Sequence, residues 1–198
     1  MTADADGFTS NAFLTTGDRP TLVDAGAWEG VVDRIREHTD SLAAVVLTHQ
    51  DYDHVDRLDA VLDAFDCPCY ASADHSRRTD ALADGDTLQV GEETVEVVHT
   101  PGHTPDHVSL VGERRLFSGD VLVYNDGAFD DGSFGKTDRP QGDREVLVDS
   151  LERLRERVPA SVEALYAGHG DVFRGDVHAA LDRALERAER REPKYPDE

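Results

Sequence analysis

Four short apolar runs in this chain each end on a residue that can bind a metal. Residues 43–47 lead into Thr48-His49-Gln50-Asp51-Tyr52-Asp53-His54, and residues 95–98 into His99-Thr100-Pro101-Gly102-His103. Leu116-Phe117 runs into Ser118-Gly119-Asp120, and residues 164–166 into Ala167-Gly168-His169. Runs of this length between turn residues read as strands. Strands are rigid rails, and the loops at their ends gather side chains from distant parts of a chain. Four rails that stop on His and Asp therefore imply one cluster.

The remaining pattern supplies the layers around that cluster. Residues 13–26 read as two strands around Gly17-Asp18, and Trp28, Val31, Val32 and Ile35 have helical spacing. Val55, Leu58, Val61, Leu62 and Phe65 predict a helix whose start abuts the first ligand segment. Residues 67–71 read as a strand and 79–83 as a connector. Strands at 87–90 and 94–98 join at Gly91-Glu92, and a hairpin pairs 108–111 with 114–117 across Gly112-Glu113. Residues 125–142 are rich in Gly and Asp and lack periodicity, and a loop of that length in a compact domain is usually functional. Helices are expected at 144–157 and 174–191, with a polar tail from Pro193. The order predicts one α/β domain over residues 1–198, with two sheets covered by helices.

Charge narrows the partners. The 198 residues carry 42 Asp plus Glu against 20 Lys plus Arg, a formal charge of −22, and the only lysines are Lys136 and Lys194. Nucleic acid and anionic membrane surfaces both need basic residues, so neither is expected as a partner. The Asp residues are spread along the whole chain, as in a surface that stays hydrated at high salt; abundant Asp with scarce Lys resembles proteins of halophilic archaea. The first six residues lack the basic and apolar parts of a secretory signal, and no apolar run would cross a bilayer, so a cytoplasmic protein acting on a small molecule is expected. Cys67-Pro68-Cys69 falls short of a zinc ribbon and reads as part of a buried strand.

His49, Asp51, Asp53 and His54 share no helical face, so the segment reads as a loop in which His49, Asp51 and Asp53 converge while His54 points elsewhere. A loop sending ligands two ways suits two neighbouring metals, which in hydrolases of this kind share an activated water. Asp120 is the natural carboxylate between them, and His103 and His169 complete the set.

These residues resemble the metallo-β-lactamase superfamily. The likeness runs through Asp24-Ala25-Gly26, the Thr48 to His54 motif, Pro101-Gly102-His103-Thr104, Ser118-Gly119-Asp120 and Gly168-His169-Gly170. It implies a four-layer αββα sandwich with the site at one sheet edge. It also implies two divalent ions, one on His49, Asp51 and His103, the other on Asp53, His54 and His169, with Asp120 bridging. Asp53 and Asp120 are the catalytic carboxylates on this reading. The stretch from Gly132 to Asp143 is similar to the loop of small single-domain glyoxalase II-type hydrolases. The helical substrate domain of larger glyoxalase II enzymes is not expected in the roughly thirty residues after His169.

The chain departs from the superfamily at Asp51, where His is usual. Counting Asp51, Asp53, Asp120 and a hydroxide against two divalent ions gives a neutral site, which predicts a bound water less acidic than in the all-His relatives. Oxygen ligands favour harder ions, so Fe or Mn stands beside Zn. The flavodiiron branch, which binds iron, likewise carries an acidic residue here. Lys136 is a candidate for substrate carboxylate, His99 and His107 for orienting ligands, and Tyr124 for the cavity wall or a developing oxyanion. His38, His75 and His178 have no ligand-type context. The expected activity is metal-dependent hydrolysis of a thioester, ester or lactone by a metal-bridging hydroxide. The alternative is an iron-dependent oxidoreductase of flavodiiron or sulfur dioxygenase type.

Overall fold

Successive side chains of a strand point to opposite faces, and that decides which layer each one joins. The computed structural model describes residues 1–193. One sheet is formed by β1 (Phe13–Thr15), β2 (Thr21–Val23), β3 (Ala44–Val46), β4 (Cys69–Ala71) and β5 (Asp80–Ala81), side by side in that order. β1 and β2 pair antiparallel, and the other pairs are parallel. The second sheet contains β6 (Thr87–Val90), β7 (Glu93–His99), β8 (Val108–Val111), β9 (Arg115–Gly119), β10 (Ala164–Ala167) and β11 (Phe173–Arg174). Its spatial order is β11-β10-β9-β8-β7-β6, with β9 and β10 parallel and the rest antiparallel.

The helices are α1 (Val31–Arg36), α2 (Tyr52–Val55), α3 (Leu58–Phe65), α4 (Arg144–Arg157) and α5 (Val177–Glu189). Leu22 and Val45 face one way and pack with Val31 and Ile35 of α1 and Val61 and Leu62 of α3. Val23 and Val46 face the other way and meet Val95, Val97, Leu110 and Phe117 of the second sheet. Val98, Val111 and Leu116 lie on that sheet's outer face, against Leu147, Leu151 and Leu154 of α4 and Leu181 of α5. Three apolar interfaces between four layers make the αββα sandwich. Each fully buried Leu, Val or Phe contributes about 1.5–3 kcal/mol, so the layering is strongly specified.

The elements differ from the sequence expectation in a few places. Arg174 does not start the last helix but ends a two-residue strand, Phe173–Arg174, paired with Ala164 and Leu165. The helix begins after Asp176, whose carboxylate accepts the Ala179 N–H. Asp80 and Ala81, read as connector, pair with Tyr70 and Ala71. The segment from His49 to His54 is not all loop, because Tyr52–Val55 closes one helical turn with His54 N–H donating to the Asp51 carbonyl at 2.9 Å. The polar tail beyond residue 193 lies outside the described residues.

Strand register places the cluster. Gly119 of β9 is opposite Ala167 of β10, so Asp120 and His169 leave the same edge of one sheet. His49 follows β3 of the other sheet. The loop carrying His103 lies against the start of α4: Gly102, at φ +122°, has no room for a Cβ beside the Leu147 backbone. Asp143 N–H donates to the Gly102 carbonyl at 2.7 Å, and Ser150 Oγ to that of Pro101 at 2.6 Å.

Candidate metal centre

Three of the histidines have their Nδ1 side occupied, and this fixes where Nε2 points. His54 Nδ1 donates to Asp24 Oδ2 at 2.9 Å. Thr48 Oγ1 donates to that same oxygen at 2.7 Å, which leaves it to accept from His49 Nδ1 at 3.1 Å. His103 Nδ1 donates to the Lys136 carbonyl at 2.9 Å. Asp24 is therefore an orienting group that sequence reasoning noted only as part of a turn; its one signal in the sequence is its place just after the second apolar strand, and in the structure a left-handed φ of 57° marks it.

The free ends converge with the carboxylates. One group joins His49, Asp51 and His103, another Asp53, His54 and His169, and a third brings His49, His54 and Asp120 together. Asp120 stands between the first two, with Oδ1 3.5 Å from His54 Nε2 and Oδ2 3.3 Å from His103 Nε2 and 3.5 Å from His169 Nε2. Asp53 joins His54 and His169 rather than His49 and Asp51, because the helical turn of α2 carries both Asp53 and His54 to the same side group; the expected convergence of Asp53 with Asp51 does not occur. Asp53 Oδ2 is 3.0 Å from His169 Nε2. Gly168 leaves room here, since a Cβ would overlap Asp120 Oδ1.

Buried polar atoms test whether cations fit. His49 Nε2, His54 Nε2 and Asp120 Oδ1 are buried without a hydrogen-bond partner, and so is Asp53 Oδ2 apart from the poorly aligned His169 Nε2. Leaving such atoms unpaired costs about 1–3 kcal/mol each, more for charged groups. Four at one point, all of metal-ligating type, fit a site for divalent cations. The electrostatics agree. Burial pushes the Asp120 carboxyl up, but His169, His54 and His103 hold it well below the usual carboxylate range. Burial opposes a charge on His54, yet Asp24 and Asp120 outweigh it and raise its pKa well above the ordinary value. The carboxylates thus draw positive charge onto His54 and, against burial and through Asp120 and Asp53, onto His169, whose pKa is also raised.

The remaining candidates divide. His107 is buried and neutral, its pKa lowered by burial and then by His49 and His103. Its Nε2 accepts Asp120 N–H at 2.9 Å while Nδ1 meets Thr100 Oγ1 at 2.8 Å, so it orients the Asp120 backbone. His99 does not face the cluster; its Nε2 is 3.0 Å from the Pro105 carbonyl. Tyr124 stacks on Phe173 at 4.1 Å and packs against the α4–α5 core. Lys136 lines a cavity of about 440 Å³ that opens over the cluster, together with Asp51, Asp53, His103, Asp120 and His169. Phe8 lines it too and stacks on His169 at 5.4 Å.

Arg139 also lines that cavity and was not a candidate from sequence. Its Nη1 is 2.6 Å from Asp51 Oδ2. The charge count that made the centre neutral therefore omits a fixed cation. Asp51, whose carboxyl burial would push up, is instead held far below the usual range by hydrogen bonds from His103, His49 and Arg139.

Known proteins share this arrangement of chain. A hydroxyacylglutathione hydrolase of Hydrogenovibrio crunogenus is 34% identical over 140 residues, 69% of this chain and 49% of that protein. The chain thus spans about half the length of the curated relative it matches. The structure of BLEG-1 B3 metallo-beta-lactamase superposes with a TM-score of 0.70 at 28% identity, covering 83% of this chain and 88% of that one. TTHA1623 in a di-iron-bound form superposes with a TM-score of 0.68 at 27% identity, covering 89% and 91%. The model of the metallo-beta-lactamase superfamily matches residues 5–169, which takes in every residue of the cluster, and the chain belongs to that superfamily.

Proposed function

We propose that this protein is a metal-dependent hydrolase of a thioester, ester or lactone, with His49, Asp51 and His103 holding one divalent ion and Asp53, His54 and His169 a second. Asp120 lies between the two sets. The observation that carries the reading is the convergence of four buried ligand atoms without a well-aligned hydrogen bond beneath an open cavity. Bound divalent cations would supply Lewis acidity and a nucleophile at neutral pH. The chain's own residues orient that chemistry. Asp24 and Thr48 fix the rings of His54 and His49, His107 fixes the Asp120 backbone, and the Lys136 carbonyl fixes His103. Lys136 and Arg139 give an otherwise acidic cavity two cationic groups, which suits a substrate bearing a carboxylate. A cavity of this size takes a small molecule.

Zinc is the first choice of metal. Asp51 supports a second reading, an iron-dependent oxidoreductase, since a carboxylate at this position adds a hard oxygen donor. Both readings share the ligand set, and one assay separates them. Protein loaded with zinc or with iron is offered a panel of thioesters and lactones while oxygen consumption is followed. Hydrolysis lost to chelation and restored by zinc supports the hydrolase; oxygen consumption by the iron form without hydrolysis contradicts it.

A further inference from the structure

Arg139 comes from the aperiodic loop, yet it is held in place. Its backbone N–H donates to the Thr137 carbonyl at 2.9 Å, and its own carbonyl accepts Gly142 N–H at 2.9 Å. Its Nε donates to the His103 carbonyl at 3.3 Å. The guanidinium thus approaches the cluster from the same side as His103. It meets Asp51 at Oδ2, the oxygen that is also 3.1 Å from His103 Nε2 and 3.6 Å from His49 Nε2. Asp51 leaves the helix N-terminus uncapped to make these contacts. The oxygen that faces the space between the two histidines is therefore already shared with a cation. Both partners are only about a quarter exposed, 26% and 21%, so solvent screens the pair incompletely.

We propose that Arg139 is a built-in cation of this centre, neutralising the carboxylate of Asp51 and competing for its Oδ2, so that the His49–Asp51–His103 pocket holds its metal more weakly than Asp51 alone would. With two divalent ions, three carboxylates and a hydroxide, Arg139 returns the net charge to +1. That is the charge a neutral histidine in place of Asp51 would give. Three physical effects act in one direction: Arg139 repels the incoming ion, occupies one of its ligand oxygens, and relieves the mutual repulsion of Asp51, Asp53 and Asp120 in the metal-free protein. An arginine that served only to hold the loop would have the opposite signature, since its loss would weaken folding and metal binding together.

The inference rests on the cluster being a metal centre, and one titration distinguishes the two. Metal-free protein is titrated with Zn²⁺ and with Mn²⁺ against a chromophoric chelator in molar KCl, for wild type, Arg139→Met and Arg139→Lys. In Arg139→Met the weaker equivalent is expected to bind about tenfold tighter, while the metal-free variant melts at a lower temperature than wild type. Arg139→Lys, which keeps the charge, should stay close to wild type. If Arg139→Met does not fold, Arg139→Gln removes the charge, keeps a donor and carries the same expectation. Unchanged or weaker binding in the charge-removed variant overturns the role of Arg139. Failure of wild type to take up either ion overturns the metal centre itself.

Discussion

Asp24 stands at a left-handed φ of 57°, a conformation that costs a non-glycine residue roughly 1–2 kcal/mol. Its two oxygens accept Thr48 N–H, Thr48 Oγ1 and His54 Nδ1, so one buried carboxylate sets two imidazoles. Truncation would leave three donors unpaired in the interior. Asp24→Ala is expected to destabilise the protein by about 3 kcal/mol and to weaken metal binding about tenfold to hundredfold. Asp24→Asn, which keeps an acceptor, should lose less of both. Urea unfolding and metal titration read the two effects, and a variant as stable and as avid as wild type would contradict the assignment. His49, Asp53, His54, His103, Asp120 and His169 were visible in the sequence because each follows a strand. Asp24 and Arg139 were not singled out, because their roles depend on contacts with distant residues. An arginine in a loop without periodicity carries no local signal.

Strands with runs of buried valine, such as β3 and β7, declare themselves by composition. Two-residue strands do not: β5 and β11 exist only because a neighbouring strand accepts them, which no local pattern encodes. The helical turn α2 was hidden similarly, since four residues of mixed polarity show no period. The reading of Cys67-Pro68-Cys69 as part of a buried strand holds for Cys69 alone, since β4 starts there and Cys67 lies before it, only partly buried. Cys69 is buried in that strand, and among the described residues neither cysteine joins a metal-type group. Burial, and then the neighbouring Cys67, pushes the Cys69 thiol up to about 11. A raised thiol pKa contributes stability that is complete below its unfolded value and is lost as pH climbs towards 11. Cys69 should therefore label slowly with a thiol reagent at pH 8 in native protein and rapidly after unfolding. Labelling of native Cys69 at the rate of a small free thiol would contradict its placement.

The whole molecule carries a charge of −22 on a surface where arginine supplies most of the cations. Its ion pairs, among them Arg77 with Asp59 and Asp63, and Arg191 with Glu145, are mostly exposed, and solvent screening leaves each of them weak. They cannot offset the repulsion of so many unpaired carboxylates. Salt can, because the screening length falls from about 10 Å at 0.1 M to about 3 Å at 1 M. The melting temperature is expected to rise between those concentrations of KCl, and a flat or falling curve would count against the reading of the surface. Against that acidic background, charge at the centre is arranged and not merely dispersed. Metal content of purified protein, measured at molar salt for wild type and Asp120→Ala, tests that centre most directly. Two divalent ions per wild-type chain and fewer in Asp120→Ala are the predicted result. A wild type that retains no metal, or an Asp120→Ala that keeps its full complement, would contradict it.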